Sequence, residues 1–306
     1  DNNNNTFDTS LIIIPSRSIP YHENFDSGES FWIAHGSIKS WGLGTPGGDL
    51  INAAASGTKA WVTSLYGDYH NNEDSYVESP CFNFSGIENP ILQMKVFYEL
   101  EPNKDGVYLL YSADCGGSWD TLGTFGEMYD SLWNWYNRDS IGSLGFDGWS
   151  GDTTEWIKAR KRLPSKMAGA PCVRFRVAFK SDAANAYEGF AFDDVMIYEA
   201  PPDVGVTEIM HPASACELND KEFVKVAVKN MGWDTLPAGL SCIAGLKLNN
   251  ADITKDTFDL HKDLPVGDTL HYAFQEPVEI NHSGSYDLLA YTDLPGDNNI
   301  YTSASN

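Results

Sequence analysis

Positive charge is scarce in this chain of 306 residues, which carries 20 lysines and arginines against 43 aspartates and glutamates. Because the formal net charge of −23 repels phosphate groups, we expect neither a nucleic acid nor an anionic membrane surface as a partner. Long apolar runs are missing too, since the longest near the start, residues 11–14, falls far short of the ~18 residues of a membrane span. Membrane insertion is therefore not expected.

Recognisable catalytic motifs are also missing. A GxSxG nucleophile motif is absent, since the run IGSLG has Ile141 where the first glycine belongs. A zinc-protease HExxH motif is absent, since His22 and Glu23 are followed by Asn-Phe-Asp. The seven histidines are scattered, mostly in polar segments, and no motif supports a pair of glycosidase carboxylates. We therefore expect the chain to have no catalytic activity.

Cysteines are few, and none lies at the spacing of a metal site. The five residues form neither a CxxC pair nor a Cys/His cluster, which argues against a metal bound through sulfur. Cys81 can pair with Cys172, and Cys216 with Cys242, but buried free thiols are an equal alternative. The sequence leaves this connectivity open.

Strand patterns dominate what is present. The 15 tyrosines, 15 phenylalanines and 9 tryptophans, with many Gly, Asn and Asp turn signals, favour an all-β fold. In residues 173–179, VRFRVAF, the side chains alternate with a period of two, as in a strand with one face in the core. Residues 154–162 are interpreted as a short amphipathic piece.

A domain boundary is expected at Pro201-Pro202, because paired prolines cannot extend a strand ladder and stiffen a linker. After it, turn signals recur about every 10 residues, as in a sandwich of short strands. The sequence therefore predicts a linker or processed N-terminus at 1–17, a first β-domain at 18–200 and an immunoglobulin-like β-sandwich at 201–306. We expect the chain to be a fragment of a longer protein.

Acidic residues gather at the two ends of the first domain. Glu23, Asp26 and Glu29 lie near its start, and Asp193 and Asp194 lie near its end. Because the first and last strands of a β-sandwich are often neighbours, these carboxylates are candidates to share one calcium ion. Adjacent residues on a strand point to opposite faces, so at most one of the two adjacent aspartates is expected to face the core. The alternative is that these acids are solvated, cap turns or accept bonds from backbone amides.

An aromatic run lies at residues 133–137, WNWYN. Trp133, Trp135 and Tyr136, together with Trp149 and Trp156, are therefore candidates for a platform on which the ring of a sugar ligand stacks. The alternative is that these rings are buried, as tryptophans commonly are in a β-sandwich.

The order of several motifs resembles the MAM-like jelly roll of secreted proteins, which occurs in bacterial surface adhesins, in extracellular peptidases of the immune inhibitor A type and in reelin subrepeats. The motifs are NFDSGESFW, GTKAWVTSLYGDY, SYVESPCFNFSG, YLLYSADCGGSW, WYN, GWSG, VRFRVAFKSD and EGFAFDDVMI, and they cover residues 18–199. The resemblance implies a jelly-roll β-sandwich of two antiparallel sheets, no catalysis and often a structural calcium near the first and last strands. The acids that match best are Asp26 and either Asp193 or Asp194.

The segment SADCGGSW is similar to the Asp-box, S-x-D-x-G-x-x-W, which begins here at Ser112. This similarity implies a hairpin in which the Asp114 side chain accepts hydrogen bonds from the loop backbone. Gly116 then takes a positive φ and Trp119 packs beneath the hairpin. An EF-hand calcium loop needs a different spacing of acids. We therefore interpret these four residues as structural.

Residues 203–306 resemble the immunoglobulin-like modules of large secreted proteins of Bacteroidetes-type bacteria, on the runs ACELNDKEFVKVAVKNMGWDTL and YTDLPGDNN. Together the two resemblances predict a non-catalytic adhesion or binding segment, extracellular or on the cell surface. Its expected partners are an extracellular glycan or protein and the neighbouring domains of a longer chain. The alternative hypothesis is an accessory region of a secreted hydrolase, such as a metallopeptidase, with its catalytic domain elsewhere.

Overall fold

The structure is a computed structural model, and it describes residues 16–28, 30–127, 133–213, 221–232, 235–280 and 284–294. Every regular element in these ranges is a β-strand except one 3-10 turn at Ser165–Met167, which confirms the predicted all-β class. None of the described helical structure has the length and apolar character needed to cross a bilayer. The chain forms two compact units that meet in sequence at Glu199 and Ala200, one residue before the expected boundary.

The first unit has short strands at its edges and long ones at its centre. Its strands are β1 (Ser16–Ser18), β2 (Tyr21–Glu23), β3 (Ile33–His35), β4 (Gly42–Gly44), β5 (Ala60–Val62), β6 (Asp74–Glu78), β7 (Cys81–Asn83), β8 (Pro90–Glu99), β9 (Gly106–Ser112), β10 (Asp120–Thr121), β11 (Ile157–Arg162), β12 (Arg174–Lys180) and β13 (Gly189–Glu199). Of the expected N-terminal linker, residues 1–15 lie outside the described ranges, and Ser16 already begins β1, which pairs with β7.

Two antiparallel sheets form the sandwich of the first unit. One has the strand order β10-β9-β12-β6-β3, and the other has the order β11-β8-β13-β5-β4, with β2 also paired to β13. Strands β8 and β9 lie in different sheets, as do β12 and β13, so the loops at residues 100–105 and 181–188 cross between the sheets. These two loops are neighbours, because Gly106 at the start of β9 pairs with Lys180 at the end of β12.

The core of the first unit lies between its two sheets and is built by alternation along the central strands. In β12, Phe175, Val177 and Phe179 are buried, whereas Arg174 and Arg176 on the other face are partly exposed. This is the period of two expected from the sequence. The removal of these apolar side chains from water is the main term that stabilises the sandwich.

One disulfide lies in the first unit. Cys81 of β7 and Cys172, just before β12, are bonded with their Cα atoms 5.3 Å apart. Cys242 in the second unit is a buried free thiol, and Cys115 is an exposed one. The structure thus contains the first of the two possible pairings. Cys216 lies outside the described residues. Cys242 is a buried free thiol, as in the alternative given above.

The second unit is a smaller sandwich. Its strands are β14 (Val204–His211), β15 (Lys221–Glu222), β16 (Lys225–Asn230), β17 (Ser241–Leu248), β18 (Ala251–Asp259), β19 (Thr269–Ala273), β20 (Val278–Glu279) and β21 (Leu288–Asp293). Its antiparallel sheets have the orders β14-β16-β19 and β18-β17-β21, beside a β15-β20 pair. Val226, Val228, Leu246 and Phe274 are buried in its core. Residues 215–220, part of one run behind the immunoglobulin-like resemblance, lie outside the described ranges.

Candidate functional site

Strand pairing brings the acids from the two ends of the first unit together. β2 lies antiparallel to β13, with His22 opposite Met196. Asp193 and Asp194 lie at an irregularity of β13, where the register with β8 shifts and Asp194 has a φ of 48°. Asp193 is wholly buried, whereas Asp194 is partly exposed and its Oδ1 lies 3.8 Å from Nε2 of His22. The second strand and the last strand of the first unit are therefore neighbours.

The loop at residues 55–59, which we call the clasped loop, lies between these acids. Oδ2 of Asp193 accepts hydrogen bonds from the first two backbone N–H groups of the loop, at 3.0 and 3.1 Å. Oδ1 of Asp26 accepts hydrogen bonds from its last two backbone N–H groups, at 2.9 and 3.2 Å. Oδ1 of Asp194 accepts from the hydroxyl of Ser56 at 2.6 Å. Each carboxylate is therefore an acceptor that fixes the loop.

The two carboxyl groups that hold the ends of the clasped loop have pKa values shifted in opposite directions. For Asp193, burial outweighs the backbone N–H donors and raises the pKa of the carboxyl to about 7. For Asp26, the backbone N–H of Thr58 is the leading contact that lowers the pKa of the carboxyl. Glu23 is bonded locally, since its Oε1 accepts from the backbone N–H of Phe25 at 2.8 Å.

The acids predicted to share a calcium ion are held by hydrogen bonds within the protein. Glu29 lies outside the described residues, and among Glu23, Asp26, Asp193 and Asp194 no three carboxylates bring oxygens within 4.8 Å of one another. A calcium ion takes roughly six to eight oxygen ligands, whereas the oxygens here face N–H and O–H donors. Calcium at this position stays a prediction from the resemblance.

Replacing Gly57 by alanine is expected to disrupt the clasped loop. Gly57 has a φ of +57°, and a Cβ at this position would lie 1.5 Å from Oδ2 of Asp26. Because that contact displaces the carboxylate from its N–H donors, we expect the free energy of unfolding to fall by about 2 kcal/mol. Gly86→Ala is the matched control, since Gly86 has a φ of +81° and open space around a Cβ. Equal losses for both variants in denaturant titrations would assign the effect to backbone strain alone.

The expected sugar platform is wrong for three of its five residues, namely Trp135, Tyr136 and Trp149, which are buried. Trp135 and Tyr136 are 1% and 2% exposed and pack against Trp149 in the core. The hydroxyl of Tyr136 accepts a hydrogen bond from the backbone N–H of Leu109 at 2.8 Å. Nε1 of Trp135 donates to the carbonyl of Leu122 at 3.3 Å. Both rings have their polar atoms bonded inside the unit and present no face to a ligand.

Trp133 lies nearer the surface, beside a row of cations. It is partly exposed, and the guanidinium carbon of Arg160 lies 5.1 Å from the centre of one of its rings. Lys158 and Arg160 lie two residues apart on β11, and Lys95 of β8 lies directly opposite Lys158. Because the side-chain period of a strand is two, these cations share the outer face of the sheet. We call Lys95, Lys158 and Arg160 the cationic strip.

In the described part of the chain, no carboxylate oxygen lies within 4.0 Å of the side-chain nitrogens of the cationic strip, and the acid nearest in register is Asp193, opposite Lys95. Burial, followed by the charges of Arg160 and Lys95, lowers the pKa of Lys158. Arg160 donates to the side-chain carbonyl of Gln93 at 3.1 Å. The strip was not expected from the sequence, because residues 154–162 were interpreted as a short amphipathic piece. The alternation of Lys158 and Arg160 was the signal that identifies a strand.

The segment from Ser112 to Trp119 forms the turn between β9 and β10. Oδ1 of Asp114 accepts hydrogen bonds from the Ser112 hydroxyl and the Ser118 N–H, at 2.6 and 2.9 Å. These bonds, led by the Ser112 hydroxyl, lower the pKa of Asp114 to about 2. Gly116 has a φ of +98°, and Nε1 of Trp119 donates to its carbonyl at 3.2 Å. The acid therefore closes a turn.

Comparison with known proteins gives distant similarities. No family model matches the sequence. Over 187 residues, 61% of the chain, the sequence is 25% identical to Bacillopeptidase F of Bacillus subtilis (strain 168), and the match spans 11% of that protein.

Two solved structures show comparably distant similarity. The K3 cleaved adhesin domain of Lys-gingipain from Porphyromonas gingivalis has a TM-score of 0.33 and 14% identity, covering 58% of this chain and 98% of that one. The CBM22 tandem domain of Xyn10C from Paenibacillus barcinonensis has a TM-score of 0.34 and 11% identity, covering 90% of this chain and 89% of that one. Similarities at this level assign neither a family nor a ligand.

Proposed function

We propose that the first unit is a non-catalytic recognition module of a larger bacterial surface or secreted protein, and that it binds an acidic extracellular glycan on the cationic strip beside Trp133. The observation that carries this proposal is the strip itself. Three cations lie side by side in a protein of net charge −23, and none of them has a carboxylate oxygen within 4.0 Å among the described residues.

Like charges on neighbouring strands destabilise a sheet, so this arrangement costs stability unless an anion is bound. A sugar carboxylate or sulfate provides that anion, and the partly exposed ring of Trp133 provides an apolar surface for the sugar ring. The net charge of the whole chain opposes long polyanions. We therefore expect a sparsely charged ligand, such as a uronic-acid-containing oligosaccharide, rather than a nucleic acid.

Neutralising Lys158 is expected to weaken binding without weakening the fold. In Lys158→Gln, the dissociation constant for uronic-acid oligosaccharides should rise about tenfold, because one charge-assisted contact is lost. The melting temperature should stay the same or rise, because repulsion from Arg160 and Lys95 is removed. The control is Lys262→Gln, which removes one charge from an exposed lysine of the second unit. Glycan arrays followed by calorimetry measure both quantities, and equal binding by the two variants, or equal binding of neutral and acidic glycans, would contradict the proposal.

A second candidate function, an accessory region of a secreted hydrolase, is favoured by the similarity to a protein named as a peptidase. Because the match spans 11% of that protein, its activity does not extend to this chain. Both candidates share the expectation that the isolated chain turns over no peptidase or glycosidase substrate. Turnover that depends on a carboxylate of this chain would overturn both.

A further inference from the structure

The two loops that cross between the sheets of the first unit bring three acids together. Glu101 and Asp105 lie on the loop between β8 and β9, and Asp182 lies on the loop between β12 and β13. One carboxylate oxygen from each residue lies within 4.8 Å of the other two. We call these three residues the loop triad. None of them belongs to the acid pairs singled out in the sequence.

Asp105 is the most constrained member of the loop triad. Its side chain is wholly buried. Oδ2 accepts a hydrogen bond from the Tyr69 hydroxyl at 2.6 Å, and Oδ1 accepts one from the backbone N–H of Asp182 at 2.7 Å. The protein therefore holds a buried carboxyl beside two further acids.

Glu101 supplies an independent observation that points to a missing partner. Its Oε1 accepts a hydrogen bond from the side-chain amide of Asn185 at 2.9 Å. Its Oε2, by contrast, exposes less than 1 Å² and has no hydrogen-bond partner. A buried carboxylate oxygen without a donor is rare in folded proteins and often marks an ion or water that occupies the position.

No cationic side chain compensates the loop triad. Among the described residues, no lysine, arginine or histidine nitrogen lies within 4.0 Å of any of its carboxylate oxygens. Three carboxylates held this closely repel one another strongly in a partly buried position. The fold nevertheless holds them there through bonds to Tyr69, Asn185 and the backbone. A bound cation removes both the repulsion and the unpartnered oxygen.

We propose that the loop triad binds a calcium ion that ties the two crossing loops together. Oxygens that lie within 4.8 Å of one another are close enough to bind one calcium ion at roughly 2.3–2.6 Å each. The donors are oxygens, with no histidine or cysteine in the group, which disfavours zinc. Magnesium demands a stricter octahedron and retains most of its water, so a site that supplies three carboxylates from two loops favours calcium.

The first test is calcium titration of the full chain after treatment with a chelator. We expect the melting temperature of the first unit to rise by about 5–10 °C when calcium exceeds its dissociation constant a hundredfold. Titration calorimetry gives the stoichiometry and affinity directly. A wild-type melting temperature that does not respond to calcium, or an equal response to magnesium, would overturn the proposal.

The second test places the ion with three variants. Glu101→Gln and Asp105→Asn should each raise the dissociation constant of this site at least tenfold, whereas Asp26→Asn at the clasped loop should leave it unchanged. In the chelator, Glu101→Gln should melt no lower than the wild type, because one repelling charge is removed. Loss of calcium binding in Asp26→Asn alone would overturn the proposal and place the ion at the first and last strands instead.

Discussion

Replacing Phe192 with alanine is expected to lower the free energy of unfolding of the first unit by about 3–5 kcal/mol. Phe192 of β13 is wholly buried, and its ring lies at the centre of an aromatic cluster. The ring centroids of Phe25 and Trp32 each lie 5.6 Å away, and those of Trp41 and Trp61 lie 5.8 and 6.4 Å away. Truncation removes these contacts and leaves a cavity that four large, rigid rings cannot readily refill.

The cluster matters for the architecture because it joins the N-terminal segment of the first unit to β13, the last strand of that unit. The measurement is a urea titration followed by tryptophan fluorescence and by circular dichroism. Phe125→Ala is the matched control, since Phe125 is 48% exposed. This variant should lower the free energy of unfolding by no more than about 0.5 kcal/mol. A loss below about 1 kcal/mol for Phe192→Ala would show that the cluster does not carry the stability assigned to it.

The fold was predictable from the sequence where the signal is local. The alternation of apolar and polar residues in β12 follows from the pleat of a single strand. Phe175 and Phe179 could therefore be assigned to the core, and Arg174 to the outer face, without knowledge of the neighbouring strands. The same local reasoning failed for WNWYN. Whether Trp135 faces a ligand or the core depends on where its loop crosses β9, which no local pattern contains.

The candidate sites depend on contacts between distant segments, and this limits what the sequence shows. Asp105 and Asp182 are 77 residues apart and meet only because two crossing loops are neighbours. The juxtaposition of Asp26 with Asp193 was expected because the first and last strands of a sandwich are often adjacent. The loop that lies between them was not expected, because nothing in residues 55–59 indicates a segment held by carboxylates.

The wholly buried carboxyl of Asp193 should make the stability of the first unit depend on pH. In the folded state its pKa is raised from 3.8 to about 7, so this carboxyl stabilises the fold fully below pH ~4, where it is protonated in both states. As the pH rises from 4 through 7, the unfolded chain releases the proton first and stability falls. The shift corresponds to a loss of about 3–4 kcal/mol, measured as the difference between the wild type and the non-titrating Asp193→Asn across this range.

Asp26 gives a control of opposite sign. Because hydrogen bonds lower the pKa of its carboxyl in the folded state, its contribution is present above the pKa of the unfolded chain and is lost as the pH falls. As the pH rises, the free energy of unfolding of the wild type should therefore increase relative to that of Asp26→Asn. Relative to that of Asp193→Asn, it should decrease. If, in a chelating buffer, the difference in free energy of unfolding between the wild type and Asp193→Asn does not change with pH, the raised pKa of Asp193 is contradicted. If calcium binds at these strands after all, its charge favours the carboxylate form, and adding calcium should abolish the pH dependence that Asp193 produces.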